Sequence, residues 1–171
     1  MAQEKSYENY PLWILLVSNL FSLIVYALGA FLMYLLGFWL LVAYLLFIAF
    51  LEFRLLQGHC VDCYYYGKSC AFGKGRLSCL FFKKGDPNKF ACMKITWKDI
   101  LPDFLVSLIP MAVGVILLLR EFNWLVLAAI VLLAVFGFIG SAFVRGSLAC
   151  KYCKQRELGC PAEQLFAKTK K

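Results

Sequence analysis

Residues 11 to 51 read PLWILLVSNLFSLIVYALGAFLMYLLGFWLLVAYLLFIAFL, from Pro11 to Leu51, without one Asp, Glu, Lys, Arg or His. A helix needs about 20 apolar residues to cross the hydrocarbon core of a bilayer. This run is about twice that length, and as one straight helix it would extend about 60 Å. Two spans joined by a tight turn account for it better, with Gly29 and Gly37 bracketing the turn. The expected helices cover residues 12–31 and 34–55.

A second apolar block runs from Leu101 to Phe143. It is broken by Asp103 near its start and by Arg120-Glu121-Phe122-Asn123, which marks a second turn between helices expected over 101–119 and 124–145. The chain is 63% hydrophobic, well above the roughly 45–50% of soluble domains. The fold class is therefore an all-α integral membrane protein: four transmembrane helices in two tandem helical hairpins. Met1 to Tyr10 carries Glu4 and Glu8 against Lys5, and the apolar run behind it is too long for a signal peptide, so the first span is read as retained.

Basic residues set the expected orientation. Lys68, Lys74, Arg76, Lys83, Lys84, Lys89, Lys94 and Lys98 lie between the blocks. Lys151, Lys154, Arg156, Lys168, Lys170 and Lys171 follow the second block, and Arg120 stands alone on the other side. The positive-inside rule places both termini and the long loop in the cytoplasm of a multi-pass cell-membrane protein. Attraction to the anionic headgroups of the lipid bilayer accounts for the net charge of +8, and no nucleic-acid partner is expected.

Eight cysteines are present. Cys60, Cys63 and Cys70 read C-x2-C-x6-C, and Cys150, Cys153 and Cys160 repeat that pattern 90 residues later. A fixed offset of this kind defines the building block. The expected organisation is a first hairpin and triad over 1–70, a basic interfacial or cytosolic loop over 71–100, a second hairpin and triad over 101–160, and a basic tail over 161–171. Pro11 and Pro102 open the two hairpins at nearly equivalent positions. Two spans per unit make both copies enter from the same side, as in parallel-repeat transporters. The second and fourth helices should then deliver their triads side by side. Gly114, Gly137 and Gly140 read as helix-packing positions. No ionisable residue falls mid-span, which argues against an ion-coupled transporter or proton pump.

Cysteines facing a reducing cytosol favour metal or redox chemistry over structural disulfides. The Cys-x-x-Cys pairs have the spacing of metal knuckles, in which two sulfurs reach one ion about 2.3 Å away. Neighbouring Lys68, Lys74, Lys151, Lys154 and Arg156 are expected to favour the thiolate form. Thiolate-rich sites select zinc or iron–sulfur, and the absence of a tight C-x2-C-x2-C run puts zinc ahead of an iron–sulfur cluster. The metal candidates are Cys60, Cys63, Cys70, Cys150, Cys153 and Cys160, with His59, Cys79 and Cys92 as possible additions. Cys79 and Cys92 also read as small buried hydrophobes.

The stretch Ala149-Cys150-Lys151-Tyr152-Cys153-Lys154-Gln155-Arg156-Glu157-Leu158-Gly159-Cys160-Pro161 resembles the half-motif of the fungal two-zinc, six-cysteine cluster. In that family two such halves, related by a pseudo-dyad, bind two zinc ions. The resemblance implies that Cys60 and Cys150 would bridge the metals and that Cys63, Cys70, Cys153 and Cys160 would be terminal ligands. It covers only the two triads. Two membrane spans separate the halves here, so it implies cluster geometry and no DNA binding. Two other arrangements stay open. Each triad could take a fourth ligand from His59, Cys79 or Cys92, or Cys60, Cys63, Cys150 and Cys153 could form one four-cysteine site.

Three function classes fit. One is a non-enzymatic membrane protein whose cytosolic thiolate site staples two hairpins and presents a basic surface to a protein partner. The second is a redox protein exchanging electrons with a membrane quinone. The third is a soft-metal carrier or sensor. No G-x-S-x-G, H-E-x-x-H or phosphate-binding loop occurs, so nothing marks an enzyme.

Overall fold

A computed structural model describes residues 6–93 and 96–161. Four of its helices are long and apolar enough to span a membrane: α1 Leu12–Leu36, α2 Phe38–Cys60, α5 Trp97–Arg120 and α6 Trp124–Ala149. Two short helices, α3 Lys74–Phe81 and α4 Pro87–Cys92, lie between α2 and α5, and α7 Lys154–Glu157 follows α6. All regular elements among the described residues are helical.

The first turn falls at Gly37 alone, whose N–H closes α1 onto the Met33 carbonyl. Gly29 does not bracket this turn and instead lies inside α1. A Cβ there would sit 2.2 Å from Tyr44 Oη and 3.1 Å from Pro110 Cγ, so Gly29 lets α1 approach α2 and α5. Pro102 likewise does not open its helix. Thr96 and Asp99 form a capping box at the start of α5, and Pro102 lies just inside it. Pro110 sits deeper in the same helix and has no N–H to offer the Val106 carbonyl. The Tyr44 hydroxyl supplies the missing donor at 2.9 Å. Gly29, Tyr44 and Pro110 therefore form one joint between three helices.

Apolar packing continues from that joint. Val25 and Leu32 of α1 meet Val126, Ala129 and Leu133 of α6. Met33 of α1 meets Tyr44, Ile48 and Leu51 of α2 and Val106 of α5. The small residues expected to admit close packing do so: Gly114 faces Ile130, Gly137 faces Ser107 and Gly140 faces Phe21. Outward positions such as Leu20, Leu46, Leu119, Leu125 and Ile139 remain exposed. A continuous apolar exterior of this kind suits lipid and not water.

Residues 71–93 and 96–100 do not form an irregular loop, because they hold α3, α4 and the start of α5. α3 is tied to the end of α2 by a Lys74–Glu52 ion pair at 2.6 Å and exposes Leu77, Leu80 and Phe81. That exposed apolar face suits the interfacial reading of this segment. Lys94 lies outside the described residues, as does the expected basic tail beyond Pro161.

Before each triad the helix widens into a π-turn, Leu56–Cys60 at the end of α2 and Val144–Ala149 at the end of α6. A further π-turn, Val135–Gly140, lies within α6. Such turns shift side chains off the α-helical register and are frequent at functional sites.

Candidate metal centre

The two triads start where α2 and α6 end, at the same side of the bundle as Pro11. Tyr10, Ile14, Tyr65, Ala71 and Ala149 form a small buried cluster there, and Cys63, Cys70 and Cys153 pack against it. Residues of both triads thus share one core, as the repeat led us to expect.

The contact between them is reciprocal. The Tyr64 backbone N–H donates to Gln155 Oε1 at 2.7 Å, and the Lys154 backbone N–H donates to the Tyr65 hydroxyl at 3.0 Å. Tyr64 and Lys154 each follow the second cysteine of their triad, and Tyr65 and Gln155 come next. Both pairs obey the 90-residue offset. The amide after each second cysteine is therefore held by the side chain that follows in the other triad. That is the pattern a local two-fold relation produces, in which residue i contacts j and j contacts i. Gln155 is buried and also donates from Nε2 to the Gly159 carbonyl at 3.1 Å, beside Cys160.

The sulfurs repeat the correspondence. The Tyr65 backbone N–H lies where it favours the Cys63 thiolate, and those of Gln155 and Arg156 do the same for Cys153, the Arg156 N–H donating to the Cys153 carbonyl at 3.1 Å. Cys70 Sγ accepts the Gly75 N–H at 3.4 Å. Gly75 is required at its position, since a Cβ would lie 2.1 Å from the Tyr65 carbonyl oxygen. Backbone N–H donors turned toward sulfur favour the thiolate and orient it.

Burial works against that preference and prevails. The Cys63 thiol is pushed up from 9.0 to about 11, mainly by burial and further by Cys153, Cys70 and Cys160, against the Tyr65 N–H. The Cys153 thiol rises to about 11 as well, through burial and the nearby Cys150 and Cys160, against its two N–H donors. Of the basic residues expected to favour thiolate, Lys74 acts on Cys60 in that sense, and three of the set also hold other partners. Lys74 pairs with Glu52, Lys154 with Glu8 at 3.3 Å, and Lys68 Nζ donates to the Tyr64 hydroxyl at 3.0 Å.

Electrostatic coupling across the triads runs from Cys63 to Cys153 and Cys160. Cys60 is half-buried and couples to Cys63 and Cys70, while Cys150 is exposed. Among the described residues no three His, Cys, Asp or Glu side chains converge closely enough to hold one metal ion. The donor set is nonetheless suited to a soft ion: thiols in quantity, each second cysteine already carrying backbone N–H donors. His59 Nδ1 is buried without a hydrogen-bond partner next to Cys60. Cys79 and Cys92 are exposed, contrary to the expectation of small buried hydrophobes, because α3 and α4 turn them outward.

Sequence reasoning missed the segment before α1. Tyr7 forms a parallel bridge with Cys153 and donates its N–H to the Tyr152 carbonyl at 3.0 Å. Tyr10 donates its N–H to the Ser69 carbonyl at 2.8 Å and its hydroxyl to the Ala149 carbonyl. Asn9 Oδ1 accepts the Ser69 N–H at 3.2 Å. Residues 7–10 therefore lie between the triads and bond to both. The tyrosines at 7, 10, 64, 65 and 152 were the available signal, since aromatic rings with polar tips collect where a small core meets a polar edge. No known protein family, curated protein or solved structure matches this chain.

Proposed function

We propose that this chain is a multi-pass membrane protein in which two tandem hairpins are stapled by a cytosolic thiolate metal site, and that zinc is the ion. The observation that carries the reading is the reciprocal hydrogen-bond pair, which holds both Cys-x-x-Cys segments in equivalent environments beside each other. A staple of this kind needs an ion that prefers sulfur, has no redox chemistry and adds folding free energy directly, which is the profile of zinc. When bound, zinc would supply Lewis-acid charge that compensates several buried thiolates. Cys63, Cys70, Cys153 and Cys160 are the residues best placed to hold it, with Cys60, Cys150 and His59 next to them. The thiols must close in on the ion as they lose their protons. The N–H donors at Cys63 and Cys153 fix the direction from which those sulfurs approach.

The basic segments then face the cytoplasm and offer a surface to a protein partner. An iron–sulfur redox protein and a soft-metal carrier use the same thiols, and the bound metal separates these readings. The test is thiol footprinting by mass spectrometry on reduced protein, with and without zinc. Zinc should slow alkylation of Cys63, Cys70, Cys153 and Cys160 together while leaving exposed Cys79 and Cys92 unchanged. Protection confined to one triad would refute the shared site.

A further inference from the structure

A second site lies about 9 Å inside the start of α1, the rise of six helical residues from Leu12 to Ser18. Ser18 and Ser22 of α1, Ser141 and Arg145 of α6, and Phe72 from the end of the first triad line a pocket there, closed by Phe21 and Val144. Its polar inventory is unusual for this depth. The Ser18 hydroxyl is shielded from solvent and has no hydrogen-bond partner. Burying such a group is destabilising unless something bonds it. Ser22 and Ser141 already donate to backbone carbonyls, to Ser18 at 3.1 Å and to Phe136 at 3.4 Å, so their oxygens retain acceptor capacity. Among the described residues the only cation on the wall is Arg145. It makes no ion pair among the described residues and belongs to the π-turn Val144–Ala149. The register shift of that turn brings Arg145 onto the pocket wall with Ser141 and Val144. The pocket therefore has a planar cation and an unused hydroxyl at its polar end and phenyl rings beside them. It lies one to two turns inside helices whose outer faces are apolar.

We propose that this pocket binds the phosphate of an anionic phospholipid, with Arg145 and the Ser18 hydroxyl as donors and Phe21, Phe72 and Val144 against the upper acyl chain. A guanidinium presents paired N–H donors that match two phosphate oxygens. The site sits at the triad end of the bundle, which the distribution of basic residues places in the anionic cytoplasmic leaflet. Phe72 follows Cys70 by two residues, and its carbonyl accepts from Asn19 Nδ2 at 3.4 Å, so a lipid bound here would also brace the first triad against α1. The inference rests on the membrane topology and not on the metal.

The test is native mass spectrometry of detergent-purified protein incubated with an equimolar mixture of phosphatidylglycerol and phosphatidylcholine. Wild type should retain one phosphatidylglycerol. Arg145→Gln should weaken its retention about tenfold, the loss expected for one charge-assisted pair. Lys84→Gln removes an exposed charge on the same side and should leave retention unchanged. Ser18→Ala should reduce retention while raising the melting temperature in lipid-free detergent, because it removes the unpaired buried hydroxyl. Adding millimolar inorganic phosphate should not displace the lipid. Equal retention by Arg145→Gln, an equal loss in Lys84→Gln, equal binding of both lipids, or displacement by free phosphate would each overturn the proposal.

Discussion

Replacing Gln155 by Ala should loosen the junction of the two triads without touching a sulfur. The side chain accepts the Tyr64 N–H at 2.7 Å and donates to the Gly159 carbonyl at 3.1 Å, and it is buried. Truncation removes both bonds and leaves a partly buried amide and carbonyl without their partner. Each net hydrogen bond is worth about 1 kcal/mol, and a stranded buried group costs about 1–3 kcal/mol. The expected loss is thus about 2–3 kcal/mol, or roughly 5–10 °C in melting temperature for a chain of this size. The assay is thermal unfolding in detergent under reducing, metal-chelated conditions, so that no ion contributes. Gln57→Ala serves as the control, because Gln57 is exposed near the same helix end; it should shift stability by no more than about 0.5 kcal/mol. Tyr65→Phe removes the acceptor of the reciprocal bond, and the double variant should be non-additive, since both bonds hold one junction. If Gln155→Ala melts with wild type, or if Gln155→Ala and Tyr65→Phe are strictly additive, the reciprocal junction is not a structural unit.

Three further outcomes follow from the geometry. Cys63→Ser or Cys153→Ser should abolish zinc-dependent stabilisation, whereas Cys79→Ser and Cys92→Ser, both exposed, should retain it; melting temperature with and without zinc decides. The Cys63 and Cys153 thiols rise from 9.0 to about 11 on folding, so the folded state holds their protons more tightly. Metal-free stability should therefore be full below pH 9 and decline between pH 9 and 11, while zinc affinity should rise with pH as protons are displaced; a flat pH profile in both would contradict the assigned burial. Gly29→Ala should cost about 1–3 kcal/mol through overpacking against Tyr44 and Pro110, and Tyr44→Phe about 1–2 kcal/mol by stranding the Val106 carbonyl; detergent melting curves that match wild type would remove this joint from the account.

How much of this was legible beforehand depended on the range of the interaction. The four helices long and apolar enough to span a membrane followed from charge-free length, and the second turn from Arg120-Glu121-Phe122-Asn123, because the cost of burying charge in lipid is a property of each segment alone. The first turn was misplaced, because Gly29 and Gly37 look alike in sequence. What distinguishes them is the Tyr44 ring pressed against the place a Cβ would take at Gly29 and the open space, among the described residues, at the same place on Gly37. Pro102 misled for a similar reason, since the capping box of Thr96 and Asp99 sets the helix start upstream. The 90-residue repeat foretold that the triads share a core, but the residues that join them, Tyr65 and Gln155, have different side chains in the two copies. Their equivalence is visible only once both amides are seen to be held in the same way. The role of Tyr7 and Tyr10 was not legible at all, because a short segment bonding to two distant loops leaves no periodic trace.

The measurement that bears most directly on the shared thiolate site is metal analysis, with an absorption spectrum, of anaerobically purified wild type, Cys63→Ser and Cys153→Ser. The account predicts a colourless wild type carrying stoichiometric zinc, and loss of that zinc from both variants although each disrupts only one triad. A metal-free wild type that takes up no zinc on titration would contradict it, as would a brown protein with labile sulfide or variants that each keep the zinc of the intact triad.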